Sequence, residues 1–247
     1  MVDPAYELYY WPTIQGRGEF VRLSLEDAGA HYVDVARLPE SEGGGVPALM
    51  KFLRGTADGL APFAPPFLKS GELVIGQTAN ILAYLGPRLG LVPSDEPSRL
   101  RANQLQLTLA DFVDEAHDVH HPVAVSLYYE DQKPEAKRRA ASFVAERIPK
   151  YLGYFERVLE RNGGEHLVGN RISYVDLSMF QLLAGLEYAF PRVMAAVGSR
   201  YPALVGLRGR VALRPRLAAY LSSPRRLPFN QHGLFRHYPE LDIAPGS

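Results

Sequence analysis

Tyr9 and Tyr10 stand side by side at the end of a β-rich run, YELYYW, and Gly16-Arg17 opens a helical pattern shortly after. Neighbouring residues in a strand point to opposite faces, so one phenol of the pair, and not both, can face the mouth of that helix. A phenol held there can donate a hydrogen bond to an anion. Gln77-Thr78 opens a second apolar helix pattern, QTANILAYL. The first turn of a helix carries unpaired N–H groups and partial positive charge, which suit a carboxylate. Thr78 is equally a good helix cap. In DFVDEAHDVHHP, His117 and His121 share a helical face with Asp114 one turn earlier. No HExxH pattern or distant partner accompanies them, so no metal is expected, and this helix end is read as the lining of a pocket or as a solvent face. Gly43-Gly44-Gly45 lacks the Lys-Ser/Thr ending of a phosphate loop and is read as a flexible loop.

The chain of 247 residues is 47% hydrophobic, enough to bury a core in one large domain or two small ones. Lys+Arg and Asp+Glu are balanced at 27 each. With no basic excess or stripe, no nucleic-acid partner is expected. No apolar run approaches the roughly 18 residues of a membrane span, and Asp3 and Glu7 interrupt the N-terminus where a signal peptide needs basic and apolar regions. A cytoplasmic protein with no membrane partner is the expectation. Cysteine is absent. Disulfides, cysteine metal sites and a cysteine nucleophile are excluded, so any thiol chemistry must use a bound molecule.

Those residues need elements to hold them. YELYYW and HYVDVARL read as strands, and GEFVRLSLEDAG places Phe20, Val21, Leu23, Leu25 and Ala28 at helical spacing, as an amphipathic helix stopping at Gly29. A loop with a short helix follows. PPFLKSGELVIG then reads as a hairpin turning at Ser70-Gly71, and QTANILAYLGPRLG as a helix. The order is βαβαββα. From Pro87 the pattern breaks, giving a linker over 88–97 between an α/β domain at 1–87 and an all-helical domain at 98–247 with a C-terminal tail. In the latter, Arg99 to His121 is one long helix. Pro134 to Asn162 is another, kinked at Pro149, and Ser173 with Asp176 forms a capping box.

A small α/β domain followed by a helical one resembles the cytosolic glutathione transferases, whose N-terminal domain is thioredoxin-like. The motifs match the tyrosine-type (sigma, pi, mu and alpha-like) classes. Tyr10-Trp11-Pro12 and Gly16-Arg17 stand where those proteins end their first strand and open their first helix, with one extra residue between. Pro66 precedes Gln77-Thr78 by the family's spacing, and NRISYVDLSMF resembles its capping-box module. The resemblance selects Tyr10 as the residue that hydrogen-bonds and stabilises glutathione's thiolate. It implies that Arg17, Gln77, Thr78 and the backbone at Pro65-Pro66 bind the peptide. The apolar pocket for the second substrate would draw on Trp11, Thr13, His117, His121 and Phe229.

Three departures from the family pattern fit a bacterial-looking or divergent member. Pro65 has no N–H where the family's residue hydrogen-bonds the cysteinyl backbone through both N–H and C=O. With Trp11 the sole tryptophan, Lys51 or Arg54 must stand in for the family's contact to the glycyl carboxylate. Asn103 falls near an Asp that reaches glutathione across the interface of the dimeric classes. The resemblance implies a homodimer with glutathione as co-substrate, conjugating its thiolate to small hydrophobic electrophiles in detoxification. A glutathione-dependent isomerase or peroxidase, or a non-catalytic binding protein, would use the same fold.

Overall fold

The computed structural model describes residues 6–55 and 61–243; Asp3 and the outer ends of both expected domains lie outside them. The first half runs β1 (Tyr6–Tyr9), α1 (Gly18–Ala28), β2 (Tyr32–Asp34), α2 (Gly45–Leu53), β3 (Phe67–Ser70), β4 (Leu73–Gly76) and α3 (Thr78–Arg88), the expected βαβαββα order. The sheet is ordered β2-β1-β3-β4, with β1 and β2 parallel and the other pairs antiparallel. Strand alternation sorts the side chains: Tyr6 and Leu8 pack with Val21, Leu25, Ile81 and Leu85 of α1 and α3. Tyr9 turns to the opposite face, against Phe67 and Leu49 of α2. The β3–β4 hairpin pairs Ser70 with Leu73, so its turn is Gly71-Glu72, with Gly71 supplying the positive φ of 60° that a two-residue turn needs.

Both early strands are shorter than the sequence pattern suggests. β1 stops at Tyr9, leaving Tyr10 and Trp11 beyond the sheet. β2 stops at Asp34, and Val35–Arg37 form a 3-10 turn. Asp34 is held by buried Arg22 at 2.6 Å, with Arg37 at 3.8 Å, and these ion pairs turn the chain out of the sheet.

The second half is helical: α4 (Glu96–Asp118), α5 (Lys133–Ser142), α6 (Ile148–Arg161), α7 (Tyr174–Ala189), α8 (Pro191–Val197), α9 (Pro202–Ala212) and α10 (Pro215–Leu221). Pro87 sits inside the last turn of α3 rather than ending it, and α4 begins at Glu96, so the expected linker contracts to residues 89–95. The earlier start of α4 follows from Asp95, whose carboxylate accepts the Ser98 N–H at 2.9 Å, and from Pro97 in the first turn. The expected kinked helix is two helices joined by a π-helical turn at Phe143–Arg147. Pro149 follows that turn within an unbroken helical run, and its missing N–H coincides with the switch to π-type bonding. Among the described residues no helix is long and apolar enough to cross a membrane.

α1 is buried on every side, not amphipathic. Val21 and Leu25 face the sheet, while Phe20 and Leu23 join the core of the helical domain. Its charged side chains therefore require partners: Arg22 pairs with Asp34, Asp27 with Arg214, Glu26 with Arg225, and Glu19 with Arg226.

α7 runs through the middle of the helical domain, and its start is fixed by the capping box. Asp176, fully buried, accepts N–H bonds from Ser173 and Leu167 at 2.7 Å and the Ser173 hydroxyl at 2.7 Å. Replacing this carboxylate by Asp176→Asn removes one acceptor and strands a buried N–H, at about 1–3 kcal/mol. Thermal unfolding is expected to move down by roughly 2–12 °C in a chain of this size; an unshifted midpoint would show that the cap contributes nothing.

Candidate active site

Tyr10, immediately after β1, is 5% exposed. Its ring lies against the backbone of Gly16 and Gly18, where the chain turns into α1. A Cβ built on Gly16 would fall 2.0 Å from the phenolic oxygen, and one on Gly18 would fall 2.5 Å from Cγ of the ring. Both glycines are thus required by the tyrosine, and Gly16 also carries a positive φ of 45°. The Arg17 N–H donates to the Tyr10 hydroxyl at 2.9 Å. Burial raises the phenol's pKa, and that effect exceeds the opposing pull of the amide and of the Arg17 and Arg22 charges. The hydroxyl therefore keeps its proton at neutral pH. Its oxygen is satisfied by an amide, while among the described residues its proton has no acceptor.

Arg17, which supplies that amide, also lines a cleft of about 420 Å³ between α1, the start of α3 and α4. Gln77, Thr78 and Asn103 line it too. Gln77 has a φ of 68°, the positive-φ non-glycine of the described chain, and strain of this kind collects at ligand sites. Behind it, the hydroxyl oxygen of Thr78 is buried without a partner, so Thr78 does not act as a side-chain cap. Across the cleft, Gln106 is buried with its side-chain carbonyl equally unpaired. The two unpaired atoms, a hydroxyl and an amide carbonyl, would be satisfied by a ligand that carries both a donor and an acceptor. Pro65-Pro66 is a cis peptide leading into β3, and the Phe67–Gly76 pairing places it beside Gln77.

Gln106 went unrecognised in the sequence as a cleft residue, and Asp114 was singled out only with the histidines at the far end of the same helix. Both lie on the stripe that Asn103 begins, at positions 103, 106, 107, 110, 113 and 114 of α4, a helical spacing that could have found them. Asp114 forms an ion pair with Arg17 at the rim.

The remaining expected residues lie elsewhere. Lys51 is exposed on α2, outside the cleft lining, because α2 turns Leu49 inward. The five residues expected to form the second-substrate pocket are not brought together. Trp11 packs with Tyr9 and Phe67 on the α2 side of the sheet. Thr13 is exposed, its carbonyl accepting a bond from Asn230. Phe229 stacks on Tyr188 and, with Gln15 and Gly16, borders a small cavity under the tail. His117 and His121 cluster with His120 at ring separations of 4.8–5.2 Å. Burial holds His120 down at about 3 and lowers the other two, so the group is largely neutral at pH 7. Among the described residues no group of His, Asp and Glu is arranged to hold a metal ion.

A thioredoxin-like α/β domain joined to a helical domain, with a donor-rich cleft at their seam, defines the class of the molecule. Residues 117–224 match the family model described as glutathione S-transferase, C-terminal domain. Bovine glutathione S-transferase P is 28% identical over 93% of this chain and 99% of its own length. The glutathione S-transferase of Plasmodium falciparum is 23% identical over 87% and 94%. Among solved structures, prostaglandin synthase D of Nilaparvata lugens superposes with a TM-score of 0.69 at 21% identity, over 91% of this chain and all of that one. The C-terminal match and these relatives together support a member of the cytosolic glutathione transferase family.

The fit of Tyr10 between two glycines is directly testable. Gly18→Ala improves helix propensity by up to about 1 kcal/mol but drives a methyl into the ring, and overpacking costs roughly 1–3 kcal/mol. The variant is expected to melt below the parent protein; a higher midpoint would show that the ring has room to move.

Proposed function

We propose that the protein is a glutathione transferase, joining glutathione's sulfur to small apolar electrophiles, with Tyr10 stabilising the thiolate. One observation carries the reading: a buried phenol with its proton unclaimed among the described residues and its oxygen held by the amide of Arg17, a residue that lines a ligand-sized cleft. The names of the relatives support the transferase activity. In this reading the γ-glutamyl carboxylate sits on Thr78 and the first-turn N–H groups of α3, with Gln77 shaping that corner. The ammonium faces Asn103, the orphaned carbonyl of Gln106 and Asp114. Pro65 accepts the cysteinyl N–H and cannot return one.

A free thiol has a pKa near about 8.5, so little is thiolate at neutral pH. A hydrogen bond to an ion contributes roughly 1.5–3 kcal/mol, equivalent to one or two pKa units. The thiol proton leaves to solvent, and the sulfur lone pair forms the new bond to carbon. A halide or comparable group departs with the electrons of the bond that breaks. The apolar side chains Leu107, Ala110 and Val113 of α4 offer the electrophile a surface along the cleft. A homodimer fits this reading, since a second copy would cover Phe63 and Leu100, 96% and 63% exposed in the single chain.

Removing the phenolic oxygen should separate activation from binding. Tyr10→Phe is expected to raise the bound thiol's pKa by about one to two units and to cut kcat/KM for a chlorinated nitrobenzene by roughly ten- to a hundredfold below that pKa. Glutathione affinity should change little. An unmoved thiol pKa, read from thiolate ultraviolet absorbance, removes Tyr10 from this role. Restoring the missing donor by Pro65→Leu is expected to tighten glutathione binding by about two- to tenfold, measured by calorimetry; equal or weaker affinity would mean that the ligand does not use this backbone position.

A further inference from the structure

The amides that hold the Tyr10 hydroxyl belong to the turn at residues 15–18, and that turn is anchored from the far side of the molecule. Gln15 is 4% exposed, and both ends of its side-chain amide are bound. Its carbonyl accepts from the Gln181 side-chain NH2 at 2.7 Å, and its own NH2 donates to the Leu227 carbonyl. Gln181, fully buried on α7, accepts from Arg226 at 3.0 Å. Arg226 also donates to Glu19 at 2.7 Å, and the Glu19 N–H returns to the Gln15 carbonyl at 3.0 Å. The bonds close a ring: Gln15, Gln181, Arg226, Glu19 and back to Gln15. It spans the turn, the central helix of the helical domain and the C-terminal tail. Tyr220 donates to the same Glu19 oxygen at 2.8 Å, so the acid is fixed from a second side.

We infer that Gln181 and Arg226 are positioning residues for the thiolate site, acting through Gln15 and Glu19 to aim the Arg17 amide at the Tyr10 hydroxyl. The inference rests on the proposed role of Tyr10. Neither residue lines the cleft; they act on the acidity of the phenol's proton. An N–H donated to a hydroxyl oxygen polarises its O–H bond and strengthens the bond that O–H donates onward. A turn that swings away by a few tenths of an ångström weakens both. The tail is then part of the catalytic machinery rather than a cover for an apolar pocket.

The test compares four proteins, all full length. Gln181→Leu breaks the ring at its buried centre. Arg226→Lys keeps the charge beside Glu19 but gives up the fork that reaches Gln181 as well. Glu156→Gln weakens the cap of α9, where Glu156 accepts the Ala203 and Leu204 N–H bonds, and serves as a destabilised control away from the turn. Tyr10→Phe reports on the parent reading. Each is titrated for the ultraviolet absorbance of bound glutathione thiolate, with unfolding midpoint and glutathione affinity measured alongside. Gln181→Leu and Arg226→Lys are expected to raise the thiol pKa by about half to one unit and to lower kcat/KM by roughly three- to tenfold below the pKa, with affinity within about twofold. Glu156→Gln is expected to lose stability with its thiol pKa unmoved. Should Gln181→Leu fail to fold, Arg226→Lys alone decides. A thiol pKa that stays put in the ring variants while Tyr10→Phe raises it overturns the positioning role. If Tyr10→Phe also leaves it unmoved, the role of Tyr10 falls, and the positioning inference with it.

Discussion

A helix buried on all sides cannot carry charge unless charge is brought to it, and the architecture of this chain follows from α1. Packed between the sheet and the helical domain, α1 contains Glu19, Arg22, Glu26 and Asp27, all buried. Leaving an ionised side chain unpaired in such a place costs several kcal/mol. The partners come from distant sequence: Asp34 from the end of β2, Arg214 from the entry to α10, Arg225 and Arg226 from the tail. The two domains are therefore joined by ion pairs and hydrogen bonds of fixed direction as well as by the apolar side chains of Phe20 and Leu23. Apolar packing alone would tolerate sliding at the seam. Directional pairs around α1 do not, and the turn that opens α1 inherits that rigidity.

The rigidity matters because the candidate site is made largely of backbone. Tyr10 is seated between Gly16 and Gly18 with no space for a methyl, and its hydroxyl meets an amide rather than a side chain. At the other end of the cleft, Gln77 holds a left-handed backbone angle at the start of α3. Amide donors cost no side-chain entropy when a ligand arrives, provided the chain that carries them is already fixed. In the structure the fixing is done by α1 for one end and by the β3–β4 hairpin for the other.

The sequence disclosed the order of elements and the fold class, because these are written in local patterns: alternation in the strands, helical spacing, and Ser173 with Asp176 at a fixed offset. It misjudged α1, whose apolar residues mark one face although both are covered. Whether Glu19 and Arg22 face water or meet Asp34 and Arg226 depends on partners far along the chain, and no local window contains them. Trp11 lies beyond the end of β1 and packs on the α2 side with Tyr9 and Phe67, a placement set by residues distant in sequence. Lys51 required knowing which face of α2 is turned inward. Gln106 was legible in principle from the stripe begun by Asn103, yet a buried glutamine with an unpaired carbonyl is a property of packing, not of spacing.

A cation is the simplest partner for a thiolate, and Arg17 stands at the cleft, yet its guanidinium is taken by Asp114. The pair is largely neutral seen from within the cleft, and both members are partly exposed, so solvent screens what field remains. In the proposed reading the phenolic O–H and the amide behind it supply dipoles to a sulfur anion, beside the Arg17 and Arg22 charges that already pull on the Tyr10 phenol. Dipoles reach less far than charges, falling off within a hydrogen-bond length or two, and so demand tighter placement. An enzyme that uses a fixed positive charge can accept a loose site. The proposed site, a phenol polarised by a backbone N–H, cannot, and a turn of four residues tied to a helix and a tail more than a hundred and fifty positions away in sequence fits that requirement.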